Sequence, residues 1–132
     1  MRLPADERRR QLLDVACEIF ARTGFHDTSM DGIAEAAGVT KPVLYQHFPS
    51  KRALYGELLE DTGQRLLDHL AQATSRATSG RERVEAGFRA YFRFAVGDSS
   101  AFRLLFGASI RSDPDFARTV DGVVRAEEPT HS

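Results

Sequence analysis

Between Glu35 and Glu57 the chain carries no carboxylate, yet the interval holds Lys41, Lys51, Arg52 and His47 with the hydroxyls of Thr40, Tyr45 and Ser50 and the amide of Gln46. Cations, hydroxyls and an amide with no acid among them suit phosphate oxygens and base edges rather than bond-breaking chemistry. Enzymatic alternatives find little support elsewhere. His26, His47, His69 and His131 lack the i,i+4 or CxxC spacing of a metal site, and there is no glycine-rich phosphate loop. The chain is therefore read as a non-enzyme that needs no cofactor and no metal.

These groups need elements to hold them, and the stretch from Thr28 to Lys51 supplies two short helices, a tight turn and the start of a third helix. Thr28 with Asp31 three residues on is a capping-box-like start, placing a helix from about Ser29. Met30, Ile33, Ala34 and Ala37 recur at helical spacing, and Gly38 after Ala36-Ala37 ends the helix in a left-handed turn. Thr40 caps the next helix, with Pro42 in its first turn, where the missing N–H removes no internal bond. Leu44 and Phe48 point to the core. Thr40, Lys41, Val43, Gln46 and His47 fall on or near the opposite side. That is the pattern of a helix-turn-helix whose second helix enters the major groove of DNA.

The side chains suggest a division of labour. Thr40, Lys41, Pro42, Val43 and Gln46 are placed for bases: Val43 against a thymine methyl, the Gln46 amide on adenine, and Lys41 donating to guanine. Tyr45 suits either a base or a phosphate. Thr28, His47 and Lys51 are placed for phosphates, Lys51 aided by the positive end of its helix.

The run from Gly24-Phe25 through Thr28, Ile33-Ala34, Ala37-Gly38-Val39, Leu44-Tyr45 and His47-Phe48 to Lys51 and Leu54 resembles the DNA-binding domain of TetR-family transcriptional regulators, over residues 8–58. The resemblance implies a homodimeric bacterial repressor that binds a double-stranded operator and releases it when a small molecule binds. Beyond residue 58 it is general, implying a helical, variable, ligand-sensing domain. Family members usually carry two more long C-terminal helices that build the dimer interface. This chain is read as lacking them, which sets the expected homodimer against a shortened regulatory domain.

Bulk properties agree with a globular helical chain. It has 132 residues, 42% of them hydrophobic, and a formal charge of −1. The total hides a split: residues 1–52 hold eight basic groups against seven acidic, and the remainder ten against twelve. Cys17 is the only cysteine, which excludes an intrachain disulfide and suits a reducing cytoplasm. No apolar run reaches the ~20 residues that span a bilayer, and the first residues do not open as a secretory leader. A cytoplasmic, nucleoid-associated location is expected.

Residues 4–23 read as the first helix, with Leu12, Val15, Ala16, Ile19 and Phe20 as its stripe and Gly24 as its stop. Within it the Arg8-Arg9-Arg10 run reads as solvated or as facing phosphate. After Pro49-Ser50 a long helix runs from Lys51 to about Ala77 on the stripe Leu54, Leu58, Thr62, Leu66, Leu70 and Ala73, joining both parts of the chain. Thr78-Ser79-Gly80 breaks it. The next helix shows one face of Val84, Phe88, Tyr91, Phe92 and Ala95, with Phe94 off that face and Glu85 set to pair with Arg89. A short helix from Ala101 to Ile110 and another after Asp113-Pro114 complete the pattern.

Aromatic stripes of this kind are usually core, but the resemblance also implies a ligand cavity. Phe88, Tyr91, Phe92, Phe102 and Phe106 are its candidate lining, with Arg89, Arg93 and Arg103 as polar contacts. The expected fold is all-α: a three-helix helix-turn-helix head at residues 1–50, joined by a long helix to a helical regulatory domain at 51–132. The expected function is a sequence-specific transcriptional regulator, a repressor released by a small apolar or aromatic ligand. The alternative is a truncated helical module acting through protein–protein contacts without effective operator binding; salt-dependent binding to duplex DNA separates the two.

Overall fold

The computed structural model describes residues 3–106 and Arg118, and among them every regular element is a helix. In order these are α1 (Ala5–Thr23), α2 (Met30–Ala37), α3 (Lys41–His47), α4 (Lys51–Thr74), α5 (Gly80–Gly97) and α6 (Ser99–Phe106). The chain divides into a first compact unit, Met1–Leu58, and a second that begins at Leu59, so the division falls inside α4.

In the first unit, α1 buries Leu12, Leu13, Ala16, Cys17 and Phe20, the residues that a 3.6-residue period brings to one face. Against them lie Met30, Ile33, Ala34 and Ala37 of α2, Leu44 of α3, Phe48, and Leu54, Tyr55 and Leu58 from the first two turns of α4. Phe20, Phe25 and Tyr55 form an aromatic knot: Tyr55 meets Phe20 edge-on at 4.7 Å and Phe25 at 5.1 Å. Phe25, set just past Gly24, thus fills the gap beside α1. This knot draws the start of α4 into the head.

The joint between α2 and α3 is built from backbone. Gly38 adopts φ 70°, ψ 30°, its N–H meeting the Ala34 and Glu35 carbonyls, while the Val39 N–H donates to the Ala34 oxygen at 3.0 Å. Two successive amides thereby satisfy carbonyls that the end of α2 leaves without partners. Thr40 then caps α3, accepting from the Val43 N–H, with Pro42 in the first turn. At the other end of α2 the expected cap is off by one residue. Ser29, not Thr28, accepts from the Gly32 N–H at 3.0 Å, because Thr28 is turned inward.

In the second unit, Leu66 and Leu70 of α4 are buried as the stripe requires, and Thr62 with them. The helix ends at Thr74, a turn earlier than expected. Ser79 caps α5 through the Glu82 N–H, and the Glu82 carboxylate receives both the Thr78 N–H and hydroxyl at 2.8 Å. Those two bonds hold its carboxyl below the ordinary range.

The face of α5 differs from expectation. Ala86, Ala90 and Phe94 are the buried side, while Val84, Phe88 and Phe92 are exposed and Val96 is 83% exposed. Small side chains at i and i+4 let a neighbouring helix approach closely, and Phe94 follows one turn on. Likewise Glu85 pairs with Arg81 at 3.2 Å rather than with Arg89. The expected helix after Asp113-Pro114, and the end of the Ala101–Ile110 helix, lie outside the described residues.

A side chain at Gly38 would meet nothing within 4 Å, so any cost of replacing it is conformational rather than steric. Gly38→Val should lower unfolding free energy by about 1–2 kcal/mol, and Gly38→Asn by less, since asparagine tolerates the left-handed region. Equal losses in chemical denaturation would contradict that origin.

Candidate nucleic-acid interface

Helix α3 has two faces of opposite character. Leu44 and the following Phe48 are 0% exposed, so they anchor it; Lys41, Pro42, Tyr45 and Gln46 are exposed, and Val43 and His47 are half-buried. A seven-residue helix anchored by two apolar side chains four apart must turn its remaining positions outward. Thr40, at its N-terminus, is exposed as well. Seven of the nine residues expected at the interface, from Thr40 to His47, therefore belong to one short segment, and no acid belongs to it.

One acid does reach it from elsewhere. Asp31, on the first turn of α2, pairs with the Lys41 ammonium at 3.1 Å. Both side chains are largely solvated, and such pairs are worth about 0–1 kcal/mol, so Lys41 can exchange this partner for a base or phosphate. Linear spacing hid the contact, because only the α2–α3 crossing brings residues ten apart together.

The two flanking residues behave differently from each other. Lys51, in the first turn of α4 beside the Ser50 cap, donates from Nζ to the Phe25 carbonyl at 2.7 Å and stands 4.3 Å from the Phe25 ring centre. An ammonium has three donors, so two remain for a phosphate. Thr28 is 4% exposed; its hydroxyl donates to the Gly24 carbonyl at 2.7 Å and lies 2.6 Å from the Thr23 hydroxyl. In this conformation its side chain braces the turn after α1 and presents no group to phosphate.

Two residues of α1 hold helix ends: Gln11, which the linear pattern did not single out, and Arg9, from the run read as solvated or as facing phosphate. Gln11 of α1 donates from Nε2 to the Ala37 carbonyl, the end of α2, at 3.2 Å. Arg9 does the same for α3. The rest of the arginine run is engaged along α1, Arg8 with Gln11 and Arg10 with Asp14.

The proposed aromatic cavity is only partly assembled. Tyr91 of α5 meets Phe102 and Phe106 of α6 at 5.7 and 6.4 Å, and those two lie 5.0 Å apart. Phe92 touches the edge of Tyr91 but is 61% exposed, as is Phe88. These two instead line an open groove of about 590 Å³ with Arg89, Arg93, Val96 and Gly97, all on α5. The five expected residues thus split between a half-buried trio and a surface groove. Two further polar atoms of the second unit stand out: Thr62 Oγ1 and His69 Nε2 are buried without a hydrogen-bond partner among the described residues. Among the described residues no three His, Cys, Asp or Glu side chains group as metal ligands, and no helix is long and apolar enough to cross a membrane.

Two short helices joined at a left-handed glycine, the second of them exposed, and a longer helix α1 before them define a helix-turn-helix protein. Residues 12–58 match the model of the family described as bacterial regulatory proteins, tetR family. A crystal structure of a TetR-like transcriptional regulator from Rhodococcus sp. RHA1 superposes with a TM-score of 0.80 at 30% identity, covering 96% of this chain and 67% of that one. The chain belongs to the TetR family of transcriptional regulators, which are not enzymes. It is 44% identical over 119 residues to the HTH-type transcriptional activator FasR of Mycolicibacterium smegmatis, covering 90% of this chain and 54% of that protein. It is 34% identical over 89 residues to the HTH-type transcriptional repressor KstR2 of Rhodococcus jostii, covering 63% and 44% respectively. The chain spans about half the length of these curated relatives.

Replacing the inward hydroxyl tests the placement of Thr28. Thr28→Val keeps the shape but strips the Gly24 carbonyl of its donor, and should cost about 1–3 kcal/mol of stability. Stability equal to wild type in urea unfolding would mean that the hydroxyl faces solvent.

Proposed function

We propose that the chain is the DNA-reading part of a transcriptional regulator, with α3 in the major groove and its affinity for the operator lowered by a small apolar ligand in the second unit. The observation that carries the reading is the division of α3, with Leu44 and Phe48 fully buried and Lys41, Pro42, Tyr45 and Gln46 exposed at the surface. Val43 and Gln46 read thymine and adenine, and Lys41 reads guanine after leaving Asp31. Tyr45 and His47 flank them, and Lys51 holds a phosphate. Thr28 acts through the turn it braces. Two copies on a two-fold operator would place one α3 in each half-site.

The ligand reading rests on the second unit. Tyr91, Phe102 and Phe106 supply apolar surface, and Thr62 and His69 offer the unpartnered polar atoms that would orient a bound molecule. The names of two relatives bear on its chemistry. One solved neighbour at 25% identity and a TM-score of 0.79 is the ketosteroid transcriptional regulator KstR2 of Mycobacterium tuberculosis, which is consistent with an apolar effector. The 44% identical relative is called an activator and the 34% identical one a repressor. Repression is expected where the operator overlaps a promoter, the ligand then lifting it.

Selection of bound sequences from random duplexes tests the head. Gln46→Ala should relax preference at one or two positions, costing roughly 1–3 kcal/mol on the preferred base. Lys51→Gln, which keeps a donor for the Phe25 carbonyl, should weaken all duplexes alike and lower the magnitude of the salt slope by about one. An unchanged sequence preference in Gln46→Ala removes that residue from base reading; binding with no salt dependence favours the protein-contact alternative.

Coupling between ligand and DNA has its own test. A tenfold loss of DNA affinity needs only about 1.4 kcal/mol of coupling, and DNA must weaken the ligand by the same factor. A steroid titrated into free and operator-bound protein should therefore give different dissociation constants. Equal constants for a molecule shown to contact Tyr91, Phe102 and Phe106 would sink the sensing reading and leave the DNA reading standing.

A further inference from the structure

Arg9 sits in the first half of α1, where an arginine near a helix's positive end is mildly disfavoured and would ordinarily turn to solvent. It lies half-buried across the head instead. Its Nη1 donates to the His47 carbonyl oxygen at 2.9 Å, its Nη2 pairs with the Glu57 carboxylate of α4, and its guanidinium carbon lies 4.4 Å from the centre of the Phe48 ring. Each partner has a reason to be there. His47 is the last residue of α3, so its carbonyl lacks an acceptor's usual partner within the helix, and a cation suits that negative end. Phe48, fully buried, is the residue that anchors α3 in the core. Glu57 comes from the next helix and neutralises the charge. The guanidinium meets the carbonyl and the carboxylate from two different nitrogens held in a fixed plane while its face lies on the ring, a geometry that the single nitrogen of an ammonium does not reproduce.

We infer that Arg9 is a positioning residue for α3: it fixes the helix's C-terminal end, and through it the register of Val43 and Gln46 on the bases, without contacting DNA itself. The inference rests on the reading of α3 as the base-reading helix. It also separates the arginine run by role, since Arg9 spends donors on the end of α3 and on α4, whereas Arg8 and Arg10 contact partners along α1. Glu57 is the second half of the device, holding the fork in place from α4.

The test uses the full chain and three variants. Arg9→Met keeps a stem over Phe48 but removes the fork, Arg9→Lys keeps the charge, and Glu57→Gln removes the counter-charge. Arg9→Met should lower the ratio of affinities for selected over random duplexes about tenfold, the scale of one good base contact, with the salt slope on random duplexes unchanged. Arg9→Lys should recover little of that ratio. Glu57→Gln should also lower it, although loss of a carboxylate would strengthen binding if Arg9 faced phosphate. Amide hydrogen exchange across residues 41–48 should quicken in Arg9→Met while the middle of α1 is unchanged. A salt slope reduced by about one in Arg9→Met, with preference and exchange as in wild type, overturns the inference in favour of a phosphate contact. Should wild type show no sequence preference, the base-reading function fails, and the exchange measurement still decides Arg9: unchanged rates in α3 overturn its role, and faster rates uphold it.

Discussion

The geometry of the head depends on how α2 ends. At Gly38 the backbone enters the left-handed region, and the amides of Gly38 and Val39 turn back on the Ala34 and Glu35 carbonyls. This reversal fixes where the chain leaves α2 and so where Thr40 can begin α3. Everything exposed on α3 inherits its direction from that joint. The adjacent Ala37 is buried, and its carbonyl is taken by Gln11, so the joint is tied to α1 as well as closed on itself.

A second theme is the use of long polar side chains against the ends of backbone segments. Gln11 meets the end of α2, Arg9 the end of α3, and Lys51 the Phe25 carbonyl in the turn after α1. Two of these three are cations that also lie over aromatic rings, Phe48 and Phe25. Short helices leave a large share of their carbonyls without internal partners, and the eight-residue α2 and seven-residue α3 find donors from outside. Charge in this head therefore serves two purposes. Some of it, as in Lys41 and Lys51, remains available at the surface, and some, as in Arg9, is consumed by the fold.

The second unit follows another rule. Helix α5 buries alanines and one phenylalanine and leaves Val84, Phe88, Phe92 and Val96 outside. Close packing rewards fit as well as apolar area, and alanine permits an approach that phenylalanine prevents. Tyr91 lies between these faces, half-buried, and joins the α6 pair Phe102 and Phe106.

Much of the head was legible in the linear pattern because its signals are local. Gly38, Thr40 with Pro42, Ser50, and the Leu44–Phe48 spacing each act within a turn or two of chain, where backbone preference and helical period decide the outcome. Orientation of individual polar groups was not legible. Thr28 reads as a cap, yet it is buried because α1 and its turn close over it, and Ser29 takes the cap instead. Lys41 stands in an acid-free window, yet Asp31 reaches it across the α2–α3 crossing. Arg9 is one of three arginines alike in sequence, and only the arrival of His47, Phe48 and Glu57, from thirty-eight to forty-eight residues away, distinguishes it. The sequence by itself determined which segments of the head are helices and which face of α3 is apolar, since both follow from spacing along the chain. Tertiary structure alone decided which partners the cations of the head take and which side of α5 is buried, because those depend on groups that no local pattern brings together.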